Sequence, residues 1–246
     1  MFTHFQLVGE FHVIFDYPVL KERFLDVFDQ DPKLLQSRLA FIREERDEFL
    51  EALENSDLVE MADALCDLNY FAFGSGQCLG IDLDAELEAS GNSNICNTPI
   101  NSEPGFLAEV DPKVLENREE IMIRLNVITT HIDRFERAIS DRDFDEIVNS
   151  LRSIVIATFQ LGYYLNFDMD SMFREVHRSN MTKVCQNIED AEESVRRYKE
   201  EGRYKKPVIR AKGPYFMVYD EDLNKILKNY KWENPNLRQF MGPAFA

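Results

Sequence analysis

The sequence is short of the residues that mark several common classes of protein. It has four cysteines in 246 residues, and none of them stands in a CxxC or CxxH spacing. This pattern is unlike a zinc site or a disulfide framework, so we expect reduced, mostly buried thiols in an intracellular, cytoplasmic protein. No apolar run approaches the length of about 18 residues that a membrane span requires. The first residues lack a basic start and a cleavage site, so we expect no signal peptide.

Basic residues and common catalytic motifs are scarce too. Lys and Arg number 28 against 45 Asp and Glu, which gives a net charge of −17. Nucleic acids and anionic membranes attract an excess of Lys and Arg, so we expect neither as a partner. The sequence contains no GxGxxG, no GxxxxGK[ST] and no candidate Ser–His–Asp triad. Any catalysis is therefore expected to depend on a metal ion.

The acidic residues are most concentrated in residues 41–67. Apolar side chains recur there at three- and four-residue steps, which predicts helices at about 33–54 and 57–80. Asp57 stands where it would cap the second helix. The acids of this stretch would then project from two neighbouring helices.

Four of these acids form two pairs with a spacing of three residues. Glu45 and Glu48 would lie on one side of the first helix, and Glu60 and Asp63 on one side of the second. Facing carboxylates repel each other unless a cation lies between them, and ligands that are all oxygen suit Mg²⁺ or Mn²⁺. The alternative is a solvated acidic helix face.

The same acids carry a resemblance to a known superfamily. Residues 44–48 read EERDE and residues 60–63 read EMAD. EExxE followed by ExxD is the metal signature of the all-α nucleoside triphosphate pyrophosphohydrolases, which the chain resembles. They include MazG-type enzymes, dimeric dUTPases, dCTP pyrophosphatases and phosphoribosyl-ATP pyrophosphohydrolase. Residues 8–18, 62–84 and 175–183 also look like bacterial MazG-like dUTP and dNTP pyrophosphatases.

The resemblance implies an Mg²⁺-dependent enzyme that hydrolyses a nucleoside triphosphate to the monophosphate and pyrophosphate. A deoxynucleotide such as dUTP or dCTP would be the substrate, and Mn²⁺ could replace Mg²⁺. Glu44 or Glu45 would act as general base toward the attacking water. Asp67, one turn after Asp63, would orient a metal ligand or lie on the helix surface.

The candidate substrate contacts lie in two parts of the chain. Lys183 suits phosphate as a point charge and Arg178 as a fork. The resemblance implies that Asn180 and Lys183 contact the nucleotide, and it puts His12 near the base. An aromatic such as Tyr70 could stack on the base. The alternatives are a capped helix end with solvated basic residues and ordinary core aromatics.

The residue pattern of the first half of the sequence recurs in the second half. A shift of 86 residues places the Ser-Asn pair at 93–94 on the Ser-Asn pair at 179–180, and Glu45 on His131. We infer a tandem duplication in which the first copy keeps the metal carboxylates and the second keeps the cationic and amide loop. Chance alignment of two similar helical hairpins is the alternative.

These observations predict an all-α fold. It is a helical bundle built from two tandem degenerate helical-hairpin repeats, followed by a small C-terminal hairpin and an extended tail. The first repeat spans 1–90, a linker 91–110, the second repeat 111–186, and the C-terminal helix and tail 187–246. The Asp-Pro pair at 111–112 predicts the start of a long helix that runs to about Ser140.

Two other functions and one partner remain open at this point. Phosphoribosyl-ATP pyrophosphohydrolase would use the same metal chemistry on a different base and sugar. A non-catalytic helical interaction protein would use the acids only as a surface. The superfamily implies a homodimer, although a duplicated chain could serve as a pseudo-dimer by itself.

Overall fold

The computed structural model describes residues 2–92, 95, 117–222 and 225–241. Within these residues it has nine α-helices and one three-stranded sheet, so the predicted all-α class with a small C-terminal hairpin is confirmed. The helices are α1 (His4–Ile14), α2 (Val27–Gln30), α3 (Pro32–Asn55), α4 (Leu58–Leu79), α5 (Leu83–Ala89), α6 (Arg118–Asp141), α7 (Phe144–Tyr164), α8 (Met169–Met181) and α9 (Ile188–Glu201).

Two long helical hairpins form the body of the molecule. The first consists of α3 and α4 and the second of α6 and α7, and they pack with α4 against α7 and α3 against α6. Helices α1 and α8 both lie against α4 and against each other. One continuous hydrophobic core runs through all of these elements. Helix α4 therefore has neighbours on several sides and is the central element.

The two hairpins have matching bounds at an offset of 86 residues. Helices α3 and α6 begin at residues 32 and 118 and end at 55 and 141. Each is followed by a residue in the left-handed region, Ser56 at φ 57° and Arg142 at φ 58°. An aspartate, Asp57 or Asp143, then caps the next helix with its side chain. The tandem duplication stays a prediction. A duplication would produce two hairpins with matching bounds of this kind.

Helix α4 is almost completely buried, and a glycine in its middle brings two other helices close. From residue 61 to 79 only Asp63, Asp67 and Phe71 are partly exposed. A Cβ atom at Gly74 would lie 2.6 Å from Nη2 of Arg38 on α3 and 2.9 Å from Nε2 of His12 on α1. The absence of a side chain at this position lets both groups approach the α4 backbone.

The predicted start of the second hairpin needs a correction. Residues 111–112 and most of the predicted linker lie outside the described residues. Helix α6 begins at Arg118, later than predicted, because the Asn117 side chain accepts a hydrogen bond from the backbone N–H of Glu120 and caps the helix there. An Asp-Pro pair is a local signal, and a second capping residue further along the chain competes with it.

The C-terminal part folds onto the body as an antiparallel sheet in the order β1 (Pro207–Lys212), β2 (Tyr215–Asp220) and β3 (Lys225–Leu227). The first two strands are the predicted hairpin, and β3 adds to it. The Tyr219 hydroxyl donates to the Phe15 carbonyl at 2.7 Å, and Cys185 and Phe216 exchange backbone hydrogen bonds. In the described residues after β3, the predicted short helix is only a 3₁₀ turn at Arg238–Phe240.

Two of the predicted absences can be compared with the structure. None of the described helices is long and apolar enough to cross a membrane. Cys66, Cys78 and Cys185 are buried and free, as expected, whereas Cys96 lies outside the described residues.

Candidate active site

Five carboxylates from α3 and α4 lie near one another without a protein partner. Glu45 and Glu48 come from α3, and Glu60, Asp63 and Asp67 from α4. None of the five accepts a hydrogen bond from, or forms an ion pair with, another described side chain. Glu45 is the most enclosed, with 7% of its surface exposed. Asp63 and Asp67 are half-buried, and Glu48 and Glu60 are exposed. A buried carboxylate without a partner is costly, so Glu45 in particular requires a compensating charge.

The electrostatics of the cluster reflect this crowding. Burial, followed by the charges of Asp67 and Glu48, raises the pKa of Glu45 to about 10. Burial and the neighbouring Asp67 raise the pKa of Asp63 to about 7. Burial also raises the pKa of Asp67 to about 6, although Lys183 acts in the opposite direction. Carboxylates in this setting hold either a proton or a cation.

The residues of the cluster fit a hard divalent cation by their chemistry. In the described part of the chain, no three Asp, Glu, His or Cys side chains converge into a finished coordination shell. The donors are nevertheless all carboxylate oxygens on flexible side chains, and the enclosed Glu45 carboxylate has nothing to offset its charge. Mg²⁺ and Mn²⁺ prefer such ligands over the imidazoles and thiolates of zinc sites.

A pocket of about 350 Å³ adjoins the acidic cluster. Four of the predicted substrate residues line it: His12, Tyr70, Asn180 and Lys183. Its other lining residues are Phe11, Tyr17, Arg38, Phe41, Phe71, Lys225 and Ile226. None of the described residues in this lining is acidic. Aromatic rings beside cations are complementary to a molecule that has a flat apolar part and a negative part.

A chain of hydrogen bonds fixes the α8 side of the pocket. The Lys183 ammonium donates to Oδ1 of Asn180 at 2.7 Å. The Tyr70 hydroxyl lies 3.0 Å from Nδ1 of His177 and also interacts with Asn180. Nε2 of His177 lies 3.5 Å from a carboxylate oxygen of Glu10 on α1. The three predicted residues Tyr70, Asn180 and Lys183 therefore form one connected group.

Lys183 also connects the pocket to the acidic cluster. Burial lowers the pKa of its ammonium group, and the negative charge of Asp67 partly offsets that effect. Among the neighbouring charges, that of Lys183 has the largest effect on the pKa of Asp67. Asp67 therefore lies between the carboxylates and the pocket, which favours the interpretation as an orienting residue over that of a surface acid.

His12 presents an acceptor nitrogen on the opposite side of the pocket. Its Nδ1 lies 2.9 Å from the Pro18 carbonyl oxygen, which can only accept, so Nδ1 carries the proton. Burial lowers the pKa of His12 to about 4, which keeps the ring neutral near pH 7. The second nitrogen, Nε2, is then free to accept a hydrogen bond.

Arg38 is the main pocket residue that sequence reasoning missed. Its Nε donates to the Ser75 hydroxyl at 3.1 Å, and Nη2 donates to the Phe71 carbonyl at 2.8 Å. The guanidinium carbon lies 5.5 Å from the ring centres of both Phe41 and Phe71. No carboxylate among the described residues pairs with this buried cation, so its remaining donors are available to a ligand.

A sequence signal for Arg38 was present. The residue stands on the apolar stripe of α3 that includes Leu35, Leu39 and Ile42, and all three are buried. A cation within a buried stripe needs a reason, because Arg is rarely enclosed without a partner. The spacing of the stripe predicts the helix but does not identify Arg38 as a pocket residue.

The structure places Arg178 elsewhere. Its guanidinium forms a two-pronged pair with Glu175 at 2.8 Å and a further pair with Glu233 at 2.6 Å. Arg178 is exposed and does not belong to the lining of the pocket. Its predicted role as a phosphate fork stays a prediction, and in this structure neighbouring carboxylates occupy the planar donors.

Glu44 lies on the outer face of α3. It is exposed and borders an open groove of about 570 Å³, whose described lining residues all belong to α3. Glu48 borders this groove as well, and both Glu44 and Glu48 influence the pKa of Glu45. Glu45 therefore lies on the enclosed side of the cluster and Glu44 on the open side.

Comparison with known proteins agrees with this arrangement. Residues 8–94 match the phosphoribosyl-ATP pyrophosphohydrolase family. This family consists of nucleotide pyrophosphohydrolases, which act on phosphoanhydride bonds, so the match confirms the resemblance to MazG-like enzymes over these residues. The matching stretch contains all five carboxylates together with His12, Arg38 and Tyr70. It is less than half of the chain.

The other comparisons concern the whole chain. Over 251 residues it is 26% identical to the uncharacterized protein L479 of Acanthamoeba polyphaga mimivirus. That alignment covers 97% of this chain and 96% of the relative, so the two proteins share the second half as well as the family domain. No solved structure matches. The pocket residues Asn180, Lys183 and Lys225 all lie beyond the family match.

Proposed function

We propose that the protein hydrolyses a deoxynucleoside triphosphate to the monophosphate and pyrophosphate, with dUTP or dCTP as the best candidates. The observation that carries this proposal is the position of the five unpartnered carboxylates beside an aromatic, cationic pocket. The carboxylates supply the metal ligands that a triphosphate requires, and the pocket offers rings for a base and cations for phosphates. The family match over residues 8–94 supports the same class of reaction.

Glu45, Glu48, Glu60 and Asp63 are the proposed ligands for Mg²⁺, or Mn²⁺ in its place. When bound, such an ion offsets the triphosphate charge and makes the phosphorus under attack more electrophilic. Asp67 holds a ligand carboxylate or Lys183 in position from outside the ligand set.

The remaining steps fall to side chains of the cluster and the pocket. Lys183 and Asn180 bind the nucleotide, with the ammonium on a phosphate oxygen, and Tyr70 and Phe11 contact the base or sugar. Water attacks the α-phosphorus, the bond from that phosphorus to the bridging oxygen breaks, and pyrophosphate leaves with the electron pair. A carboxylate oxygen of Glu44 or Glu45 accepts the water proton.

A second candidate is the hydrolysis of phosphoribosyl-ATP, which the name of the matching family favours. The reaction would use the same carboxylates and also release pyrophosphate. The two candidates differ only in the base and sugar that the pocket accepts, so they are separated by substrate and not by chemistry.

A nucleotide panel tests both candidates. The protein is incubated with Mg²⁺ and each dNTP, each NTP or phosphoribosyl-ATP, and the products are resolved by liquid chromatography. We expect a deoxynucleoside monophosphate and pyrophosphate in equal amounts from one or two dNTPs. Turnover confined to phosphoribosyl-ATP would transfer the proposal to the second candidate. No turnover, with no Mg²⁺ binding by calorimetry, would favour the non-catalytic helical protein.

A further inference from the structure

The C-terminal sheet reaches the pocket, although it lies far beyond the family match. Lys225 and Ile226 of β3 line the pocket together with Asn180 and Lys183 of the α8 region. The sheet is held in this position by its own contacts with the body, including the hydrogen bond from Tyr219 to Phe15. One wall of the pocket is therefore built by the last part of the chain.

A second lysine of this segment faces the acidic cluster. The ammonium group of Lys228 lies 3.3 Å from the ring centre of Trp232, which holds it by a cation–π contact. Among the opposite charges, those of Asp63 and Asp67 have the largest effect on the pKa of Lys228. Lys228 thus lies near the same carboxylates as Lys183, on a different element.

Lys183, Lys225 and Lys228 form what we call the lysine cluster. Lys183 is repelled by both Lys228 and Lys225. In the described residues none of the three forms an ion pair with a carboxylate within 4.0 Å, whereas Lys206, Lys212 and Lys231 each do. Two of these lysines, Lys183 and Lys225, line the pocket, and Lys228 lies near Asp63 and Asp67. Unpaired lysines that repel one another beside a pocket are the arrangement expected for binding an anion with several charges.

We propose that Lys225 of β3 and Lys228, which directly follows β3, bind the polyphosphate part of the ligand together with Lys183. The inference rests on the proposed function and extends it, because it assigns phosphate contacts to a segment outside the family domain. The carboxylates would hold a cation that binds one side of the polyphosphate, and the lysine cluster would bind the other side. The sheet closes the site around the phosphates.

Inorganic tripolyphosphate is the probe that tests this directly, because it has the phosphates without the base or sugar. Calorimetry with Mg²⁺ present compares the parent with Lys225→Met and Lys228→Met. Lys206→Met is the matched control, since Lys206 immediately precedes β1 of the sheet and is paired with Asp222. We expect affinity for tripolyphosphate to fall about 10-fold or more in each of the two variants and to stay unchanged in the control.

Two further readouts separate a binding role from a structural one. Mg²⁺ alone should bind as tightly or more tightly in Lys225→Met and Lys228→Met, because a nearby positive charge has been removed. The chain has one tryptophan, so fluorescence reports on Trp232 alone, and tripolyphosphate should change the emission of the parent as Lys228 turns to the phosphates. A structural defect would weaken metal and polyphosphate binding together.

The inference and the proposed function can fail separately. If the parent binds no tripolyphosphate, or if Lys206→Met loses as much affinity as the two variants, the inference is overturned. If the parent and variants behave as expected but no nucleotide releases pyrophosphate, the polyphosphate site stands and the proposed reaction fails.

Discussion

At the scale of single residues, Glu45 shows how the site conflicts with stability. Its carboxylate is enclosed, has no protein partner, and faces the charges of Asp67 and Glu48. A group with this environment is unfavourable for the fold unless a cation is bound. Stability and metal binding should therefore respond to its removal in opposite directions.

Glu45→Gln should stabilise the metal-free protein and abolish its response to Mg²⁺. We expect the free energy of unfolding without metal at pH 7 to rise by about 1–3 kcal/mol, because the amide keeps the shape and folding no longer requires Glu45 to take up a proton. Thermal melts with and without Mg²⁺ measure both effects. Glu54→Gln, an exposed position on the same helix, is the control and should change neither. A metal-free variant less stable than the parent would contradict the electrostatic interpretation.

His12 should make stability depend on pH below neutrality. Its pKa is about 4 in the folded protein against 6.5 in the unfolded chain, so the unfolded chain binds more protons between these values. Above pH 6.5 the neutral His12 does not reduce the free energy of unfolding. As the pH falls toward 4, that free energy decreases by up to about 3 kcal/mol. Urea titrations of the parent and His12→Gln across this range should diverge. Parallel pH profiles would show that His12 protonates freely in the fold.

Arg38→Met should remove nucleotide affinity while the protein stays folded. The guanidinium has no carboxylate partner, so an apolar side chain of similar length leaves no buried anion unpaired. Loss of one or two charge-assisted hydrogen bonds to the ligand predicts binding about 10- to 100-fold weaker. Equilibrium binding of a non-hydrolysable dNTP measures this. Arg43→Met is the control, because Arg43 pairs with Glu136 outside the pocket. Equal affinity in parent and Arg38→Met would remove Arg38 from the site.

At the scale of elements, α4 organises the site because it contacts α1, α3, α7 and α8. Its glycine at 74 lets Arg38 and His12 meet over the helix backbone. Two helices that are distant in sequence thereby contribute to one pocket. The two side chains can approach because residue 74 has a hydrogen atom where alanine would have a methyl group.

Gly74→Ala should destabilise the protein although alanine favours helices. The propensity gain is about 1 kcal/mol, but the new methyl group would overlap Nη2 of Arg38 and Nε2 of His12, at a cost of about 1–3 kcal/mol. Urea unfolding measures the net effect. In the Arg38→Met background the loss should be smaller, because one overlap is gone. A loss of the same size in both backgrounds would show that the two side chains do not meet at Gly74.

Much of the element pattern could be predicted, since its signals are local. Asp57 and the apolar steps around it located α3 and α4 to within a residue or two. The spacing of the acids predicts their place on two neighbouring helices, and the resemblance predicts a role for His12. Helix α6 begins later than predicted, at Arg118, because Asn117 caps it there. Sequence spacing also does not reveal that Glu175 and Glu233 hold Arg178 outside the pocket lining. Lys225 and Lys228 could not be found, because their place depends on how the sheet docks.

At the scale of the whole molecule, the charge of −17 is unevenly distributed. The carboxylates of the family domain lie on one side of the site. The lysine cluster and Arg38 lie on the other side, at or beside the pocket. The domain match ends at residue 94, so the cationic half of the site comes largely from the segment after α8 and from the end of the C-terminal sheet. The complete chain, and not the family domain alone, is therefore the proposed catalytic unit.

Pyrophosphate release with and without Mg²⁺ tests the central claim most directly, with the parent beside Glu48→Gln and the exposed control Glu54→Gln. We predict release from one or two deoxynucleotides by the parent and the control, which requires Mg²⁺, and a loss of at least about 100-fold in Glu48→Gln. Release that continues in Glu48→Gln at the parental rate would contradict the account, because the carboxylate cluster would then not be the centre of the reaction.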